Sequence, residues 1–406
     1  MPIGVQNFIG RRLTEARLAR GLFMKSLGDL VGLTGVAIAR YEDGKDKPRE
    51  DKLAALASQL GFPRDFFLRP VWPENIELVY WRSRVSETKS AREMTEQRMR
   101  WLCEIFAFLE TDLNFPSVDI PNIDLPVDFR MILPDAIESA AMAVRDHWGL
   151  RDFPVPDMLL ALENAGIPVT CLEVTSDKQD GFCFWSERLR RPFVGINVYE
   201  VSCARARYDA AHELGHLVMH RHITPQQARD PVLHKIMEQQ AHRFAGAFLF
   251  PRQPFLSQVG AATLDYFSSL KKTWGMSIAA MVYRAHDLGL VSDEEKSLLF
   301  QNMTRRRWRG ALREPFDGHE EMPLERPRML KRGLEAIVGE GFFGQSAIQS
   351  ALALPSNELE EITGVPRGTF GKAAELVELA VPKRTLRTTD VESGKVLEFP
   401  LRKANR

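Results

Sequence analysis

The chain has 406 residues and a formal net charge of zero, with 54 Lys and Arg against 54 Asp and Glu. One hydrophobic core stops growing at about 250–300 residues, so this length calls for two or three domains. A 44% hydrophobic and 27% charged composition excludes a disordered chain, and balanced charge means that any nucleic-acid site must come from local asymmetry. Residues 6–70 read as short helices with tight turns, from Phe8, Leu13 and Leu18 through Leu27, Leu30, Val36 and Ile38 to Leu53, Leu56 and Leu60. A charged helical stretch over 74–113 follows, then a Pro-rich connector from Phe115 to Pro134. Helical patterns cover 134–148 and 156–164, and the apolar runs Ile167–Leu172, Gly181–Trp185 and Pro192–Asn197 read as strands. Long helices begin near Ala204 and Pro231, and helical spacing continues after Pro251 to about residue 300. Beyond a basic run, Arg305–Arg309, read as a solvated helix end, residues 328–380 are helical and Thr385–Leu401 form a hairpin.

These elements predict a multidomain protein, mainly α with a small β-sheet. The expected units are 1–70, an all-α bundle; 71–133, a helical and Pro-rich linker; 134–310, an α+β domain; and 311–406, an accessory helical module ending in the hairpin. No apolar run approaches the roughly 18 residues that a membrane span needs, and no leader is expected. Cys103, Cys171, Cys183 and Cys203 are scattered and form no CxxC pair, which suits buried thiols in a reducing, cytoplasmic setting.

The sharpest signal is His212-Glu213-Leu214-Gly215-His216, an HExxH motif in a proline-free helical stretch. Residues four apart share a helix face, so two imidazoles there can hold one Zn²⁺ as neutral nitrogen ligands. Glu213 then stands beside the metal, placed to take a proton from the water that the metal acidifies. A catalytic zinc site needs a third protein ligand and one open position. Glu238, on the next predicted helix, is taken as that ligand. His242, one turn further, is either its alternative or a partner of a ligand. His220 and His222 can in principle stabilise an oxyanion, although ordinary packing or surface roles are the simpler reading.

Segment 192–251 resembles the ImmA/IrrE-type metallopeptidases. The likeness is carried by Pro192–Asn197, by Arg207-Tyr208-Asp209-Ala210-Ala211-His212-Glu213-Leu214-Gly215-His216-Leu217-Val218-Met219-His220, and by Glu238 through Ala247 to Pro251. It implies a zincin-like fold, zinc bound by His212, His216 and Glu238, Glu213 as the base, and a protein substrate such as a repressor or neighbouring gene product. It also implies a small sheet beside the site, where an edge strand would bind an extended peptide. Two positions depart from the family pattern: Gln240 stands where a second acid is usual, and His242 where Asn or Asp is usual. The first leaves the ligand position intact; the second alters the surroundings of the site.

Residues 6–69 resemble an XRE/Cro-type helix-turn-helix domain, most strongly over Ile38-Ala39-Arg40-Tyr41-Glu42-Asp43-Gly44-Lys45-Asp46-Lys47-Pro48. Thr34 would cap a recognition helix running to Asp43, with double-stranded operator DNA as partner. Thr34, Val36 and Ala37 fall at base-reading positions, and Val36 and Ala37 can reach only thymine methyl groups. Lys25, Arg40, Lys45 and Lys47 are the expected phosphate contacts, within a net charge of +4 over residues 1–70. Helix-turn-helix units commonly act as dimers, so a homodimer is expected. The combined reading is a DNA-binding regulator with a zinc endopeptidase domain, serving stress, phage or toxin–antitoxin control. The rival is a non-enzymatic repressor or antitoxin that keeps the peptidase fold for sensing or structure.

Overall fold

The structure is a computed structural model that describes residues 4–73, 80–81 (backbone only), 89–172, 181–341 and 344–371. The hairpin expected over Thr385–Leu401 lies outside the described residues. Helices α1 (Gly10–Ala19), α2 (Met24–Val31), α3 (Gly35–Glu42) and α4 (Glu50–Leu60) build the N-terminal bundle. A two-residue strand β1 (Tyr80–Trp81) and helix α5 (Lys89–Glu110) follow, then α6 (Pro134–His147), α7 (Met158–Asn164) and strands β2 (Val169–Leu172), β3 (Gly181–Ser186) and β4 (Arg191–Asn197). Next come α8 (Cys203–Met219), α9 (Pro225–Arg229) and α10 (Pro231–Leu249). Helices α11 (Arg252–Gln258), α12 (Leu264–Trp274), α13 (Ile278–Asp287) and α14 (Asp293–Arg305) close the central region, and α15 (Met329–Gly339), α16 (Gln345–Leu352) and α17 (Ser356–Thr363) follow. The described residues are thus mainly α with one small sheet.

That sheet has the order β1-β3-β4-β2; β3 runs antiparallel to β1 and β4, and β2 parallel to β4. Alternation along the strands sends side chains into two cores. Val169, Cys171, Cys183, Val194 and Ile196 join the core built by α6, α8 and α10. Leu172, Phe182, Phe184 and Phe193 face the other way, into a core shared with α5, the N-terminal bundle and α15–α17. The sheet is therefore a middle layer between helices, which explains why its strands read as continuous apolar runs.

The stretch 89–133, read from its sequence as linker, is packed instead. Trp101, Leu102, Ile105, Phe106 and Leu109 are buried on α5. Phe115, in the Pro-rich arm, lies 4.6 Å from Phe106 between ring centroids, and Ile120, Ile123 and Leu125 rest on the central core. Charged residues on α5 masked an amphipathic helix, and proline content hid an arm that uses its apolar side chains as a strap. Buried ion pairs join the same elements: Arg12 reaches Glu15 and Glu104 at 2.7 and 2.8 Å, and Glu358 on α17 receives Arg20 at 2.6 Å and Arg98 at 3.1 Å.

Candidate metal centre

Two helices position the site. α8 starts at Ser202, whose hydroxyl accepts the Arg205 N–H, and α10 starts at Asp230, whose carboxylate accepts those of Val232 and Leu233. Pro231 occupies the first position of α10, where its missing N–H costs nothing. The helices approach closely at Gly215: a Cβ there would stand 3.1–3.2 Å from Cδ1, Cβ and Cγ of Phe244 on α10.

This contact brings Glu238 over the motif. Its carboxylate oxygens lie 3.4 Å from His212 Nε2 and 3.3 Å from His216 Nε2, and the two Nε2 atoms are 3.1 Å apart. Two ligands bound at about 2.05 Å around a tetrahedral ion are roughly 3.3 Å apart. All three separations suit that geometry, and two imidazoles with one carboxylate are the donor set of a catalytic zinc site with one position open. Among the described residues, these three side chains form the group able to hold a metal. Both histidines are buried; Glu238 is partly exposed.

Glu213, next to His212 on α8, is buried. Gly181, the first residue of β3, lies against it, so that a Cβ there would be 3.0 Å from Glu213 Oε1. Cys183, also on β3, donates its thiol to the Glu213 carbonyl at 3.5 Å, and burial pushes that thiol well above its ordinary pKa. The Cys183 thiol is therefore an inert packing group. The outer edge of β3 is occupied at Phe182 and Cys183 by β1, and β4 is flanked on both sides. The open edge expected beside the site is thus covered at those two positions by the chain itself.

His242 stands beside the three donors. Its ring centroid is 4.5 Å from that of His212, and the Tyr208 hydroxyl donates to the His242 carbonyl at 3.0 Å. His222 is exposed on the turn after α8. His220 is fully buried, and desolvation followed by the neighbouring His216 lowers its pKa, which favours the neutral ring. Its ring lies between His216 and Gln240, with Nδ1 2.9 Å from His216 Nδ1 and Nε2 2.9 Å from Gln240 Oε1. Gln240 Nε2 donates to the Phe129 carbonyl at 2.7 Å. This chain escapes sequence reasoning because Phe129 is 111 residues from Gln240.

At the other end of the protein, Thr34 caps α3 by accepting the Ala37 N–H at 3.1 Å. Lys25, Thr34, Val36, Arg40, Lys45 and Lys47 are exposed and Ala37 is half-buried. Val36 is 72% exposed and Phe23, just before α2, 75%, so the outer face of this unit is apolar as well as basic. Arg40 bonds Asp46 and Lys45 bonds Asp43, both at the surface. Arg12 and Arg17 are buried in ion pairs, so the +4 total overstates the charge offered to solvent.

Residues 162–286 match the family model described as IrrE N-terminal-like domain, a metallopeptidase family whose members are generally zinc-dependent. Residues 9–66 match a helix-turn-helix domain model. No curated protein matches the chain. Among the described residues no helix is long and apolar enough to cross a membrane. The first match implies a protein substrate and the second DNA binding: the chain carries an XRE-like helix-turn-helix domain joined to a metallopeptidase domain of the ImmA/IrrE type.

Proposed function

We propose that the protein is a DNA-binding regulator whose central region is a zinc-dependent endopeptidase acting on a repressor or a neighbouring gene product. The observation that carries this reading is the convergence of His212 Nε2, His216 Nε2 and the Glu238 carboxylate at separations of 3.1–3.4 Å. In the proposed layout the DNA-binding unit is 1–70, a connecting unit spans 71–133, the peptidase unit is 134–310 and an accessory module follows from 311.

A zinc ion held by these side chains would polarise the scissile carbonyl and bring the pKa of water to about 7. Glu213 then takes the proton of the attacking water on its carboxylate and passes it to the leaving amine. Buried beside β3, that carboxylate is held in one place by packing, which favours a fixed proton path over solvent exchange. His212 and His216, both buried, would serve as the two nitrogen donors. Thr34, Val36 and Ala37 would face base edges, while Lys25, Arg40, Lys45 and Lys47 would contact phosphates.

The test is to co-express the wild type, and separately Glu213→Gln, with the products of neighbouring genes. Cleavage of one of them by the wild type alone supports the peptidase. If every product stays intact with both forms, the non-enzymatic repressor becomes the better account.

A further inference from the structure

The side chains behind His216 form a continuous buried line that ends on the backbone. His216 Nδ1 meets His220 Nδ1 at 2.9 Å, His220 Nε2 meets Gln240 Oε1 at 2.9 Å, and Gln240 Nε2 meets the Phe129 carbonyl at 2.7 Å and that of Ile132 at 3.5 Å. His216 and His220 are each no more than 1% exposed, and Gln240 is 7% exposed. Each contact fixes the next. Backbone carbonyls only accept, so the NH₂ group of Gln240 must face Phe129 and Ile132 and its oxygen must face His220. That oxygen only accepts, so His220 carries its proton on Nε2. A neutral imidazole with a proton on Nε2 has a lone pair on Nδ1. The proton in the short contact with His216 must therefore come from His216 Nδ1. This leaves the Nε2 lone pair of His216 aimed at His212 and Glu238.

We infer that His220 and Gln240 are positioning residues that hold His216, before any metal arrives, in the one tautomer able to ligate through Nε2. The inference rests on the metal reading above. It gives the amide at position 240 a purpose that an acid would not serve. A carboxylate there would turn acceptor oxygens toward the two backbone carbonyls, and could hold the line only by keeping a proton. Metal-bound histidines commonly donate their second N–H to a carboxylate or carbonyl; here the donation passes through a neutral imidazole and an amide to a backbone oxygen. The 3₁₀ turn Phe129–Met131, within the Pro-rich arm, supplies that final acceptor. The arm thereby contributes to the metal centre through Gln240 and His220.

The direct test is long-range ¹H–¹⁵N correlation of histidine nitrogens in full-length, metal-free protein. The expected result is His216 protonated on Nδ1 and His220 on Nε2. His216 protonated on Nε2 overturns the inference, and this readout needs no variant. Zinc affinity, measured against a fluorescent chelator, gives the energetic arm. His220→Phe removes the acceptor for His216 and should weaken zinc binding about 10–100-fold, the usual loss for an outer partner of a ligand. His220→Asn keeps an acceptor near the Nδ1 position and should recover part of that loss. Equal affinities for wild type and His220→Phe, or no recovery in His220→Asn, would contradict the positioning role. If the wild type binds no zinc, the metal reading fails by itself, and the tautomer spectrum still decides whether the line is set as stated.

Discussion

Gly215 lies between the two motif histidines, and replacing it with alanine should weaken zinc binding without unfolding the protein. Helix propensity alone favours the change by about 1 kcal/mol. Packing opposes it. The new Cβ would stand 3.1–3.2 Å from three Phe244 atoms, among them Cβ and Cγ, which are anchored close to the α10 backbone and cannot swing aside. Carbon contacts are comfortable at about 3.5–4.0 Å, so α8 and α10 must separate by roughly 0.3 Å or more. Overpacking of this kind costs about 1–3 kcal/mol, and the net loss of stability is on the order of 0–2 kcal/mol. The functional effect is larger. Glu238 is on α10 and the histidines on α8, with 3.3–3.4 Å between their donor atoms. Metal sites tolerate deviations of about 0.2 Å, so the separation detunes the third ligand, and zinc affinity should fall at least about tenfold. Chelator competition measures affinity and urea denaturation of the metal-free protein measures stability. Unchanged affinity together with a stabilised apo-protein would refute the argument.

Other outcomes follow from the same structure. Phe106→Ala should lower stability by about 3–5 kcal/mol in chemical denaturation, because Phe106 is buried against Phe115 and Phe193; a near-zero effect would return α5 to the status of a linker. Glu163 at the end of α7 caps α15 by accepting the N–H groups of Arg328 and Met329, yet burial raises its pKa from 4.5 to about 7. The folded state then holds a proton that the unfolded state has lost, so this group's stabilisation is complete below pH 4.5 and is lost as pH rises through about 7, by about 3 kcal/mol at most. Glu163→Gln should flatten the stability profile between pH 5 and 7, and a profile that keeps the wild-type slope would show that another group sets it. Arg40→Ala should weaken binding to upstream DNA and reduce the slope of log K against log salt by about 0.9; identical binding at physiological salt would remove α3 from the interface.

How much of this was legible depended on whether the signal was local. The HExxH spacing marked the helix and the face that carries both histidines, because a period near four is both a helix repeat and a ligand spacing. The return helix that carries Glu238 was readable, and so was the Thr34 cap, from the residue types that cap helices. The strands were found at nearly their observed bounds, since a doubly buried strand is an uninterrupted apolar run. What escaped depends on tertiary neighbours. Gln240 looked like a neutral replacement for an acid until Phe129 was seen beside it, and His220 looked incidental until it was found between His216 and Gln240. α5 was misjudged because its charges, among them Glu104 and Arg98, belong to buried pairs with Arg12 and Glu358. The same burial bears on the net charge of zero, which counts Arg12, Arg145, Lys271 and Arg284 as though they faced water, and none of them does.

The central claim is that His212, His216 and Glu238 hold one catalytic zinc ion. X-ray absorption at the zinc edge of the full-length protein, loaded with one equivalent, tests it most directly. The account predicts a four-coordinate shell of nitrogen and oxygen at about 2.0–2.1 Å, with two imidazoles among the scatterers and room for solvent. Loss of that shell in Glu238→Ala would assign the third ligand. A sulfur shell at about 2.3 Å would place the metal on cysteines, and would contradict the account.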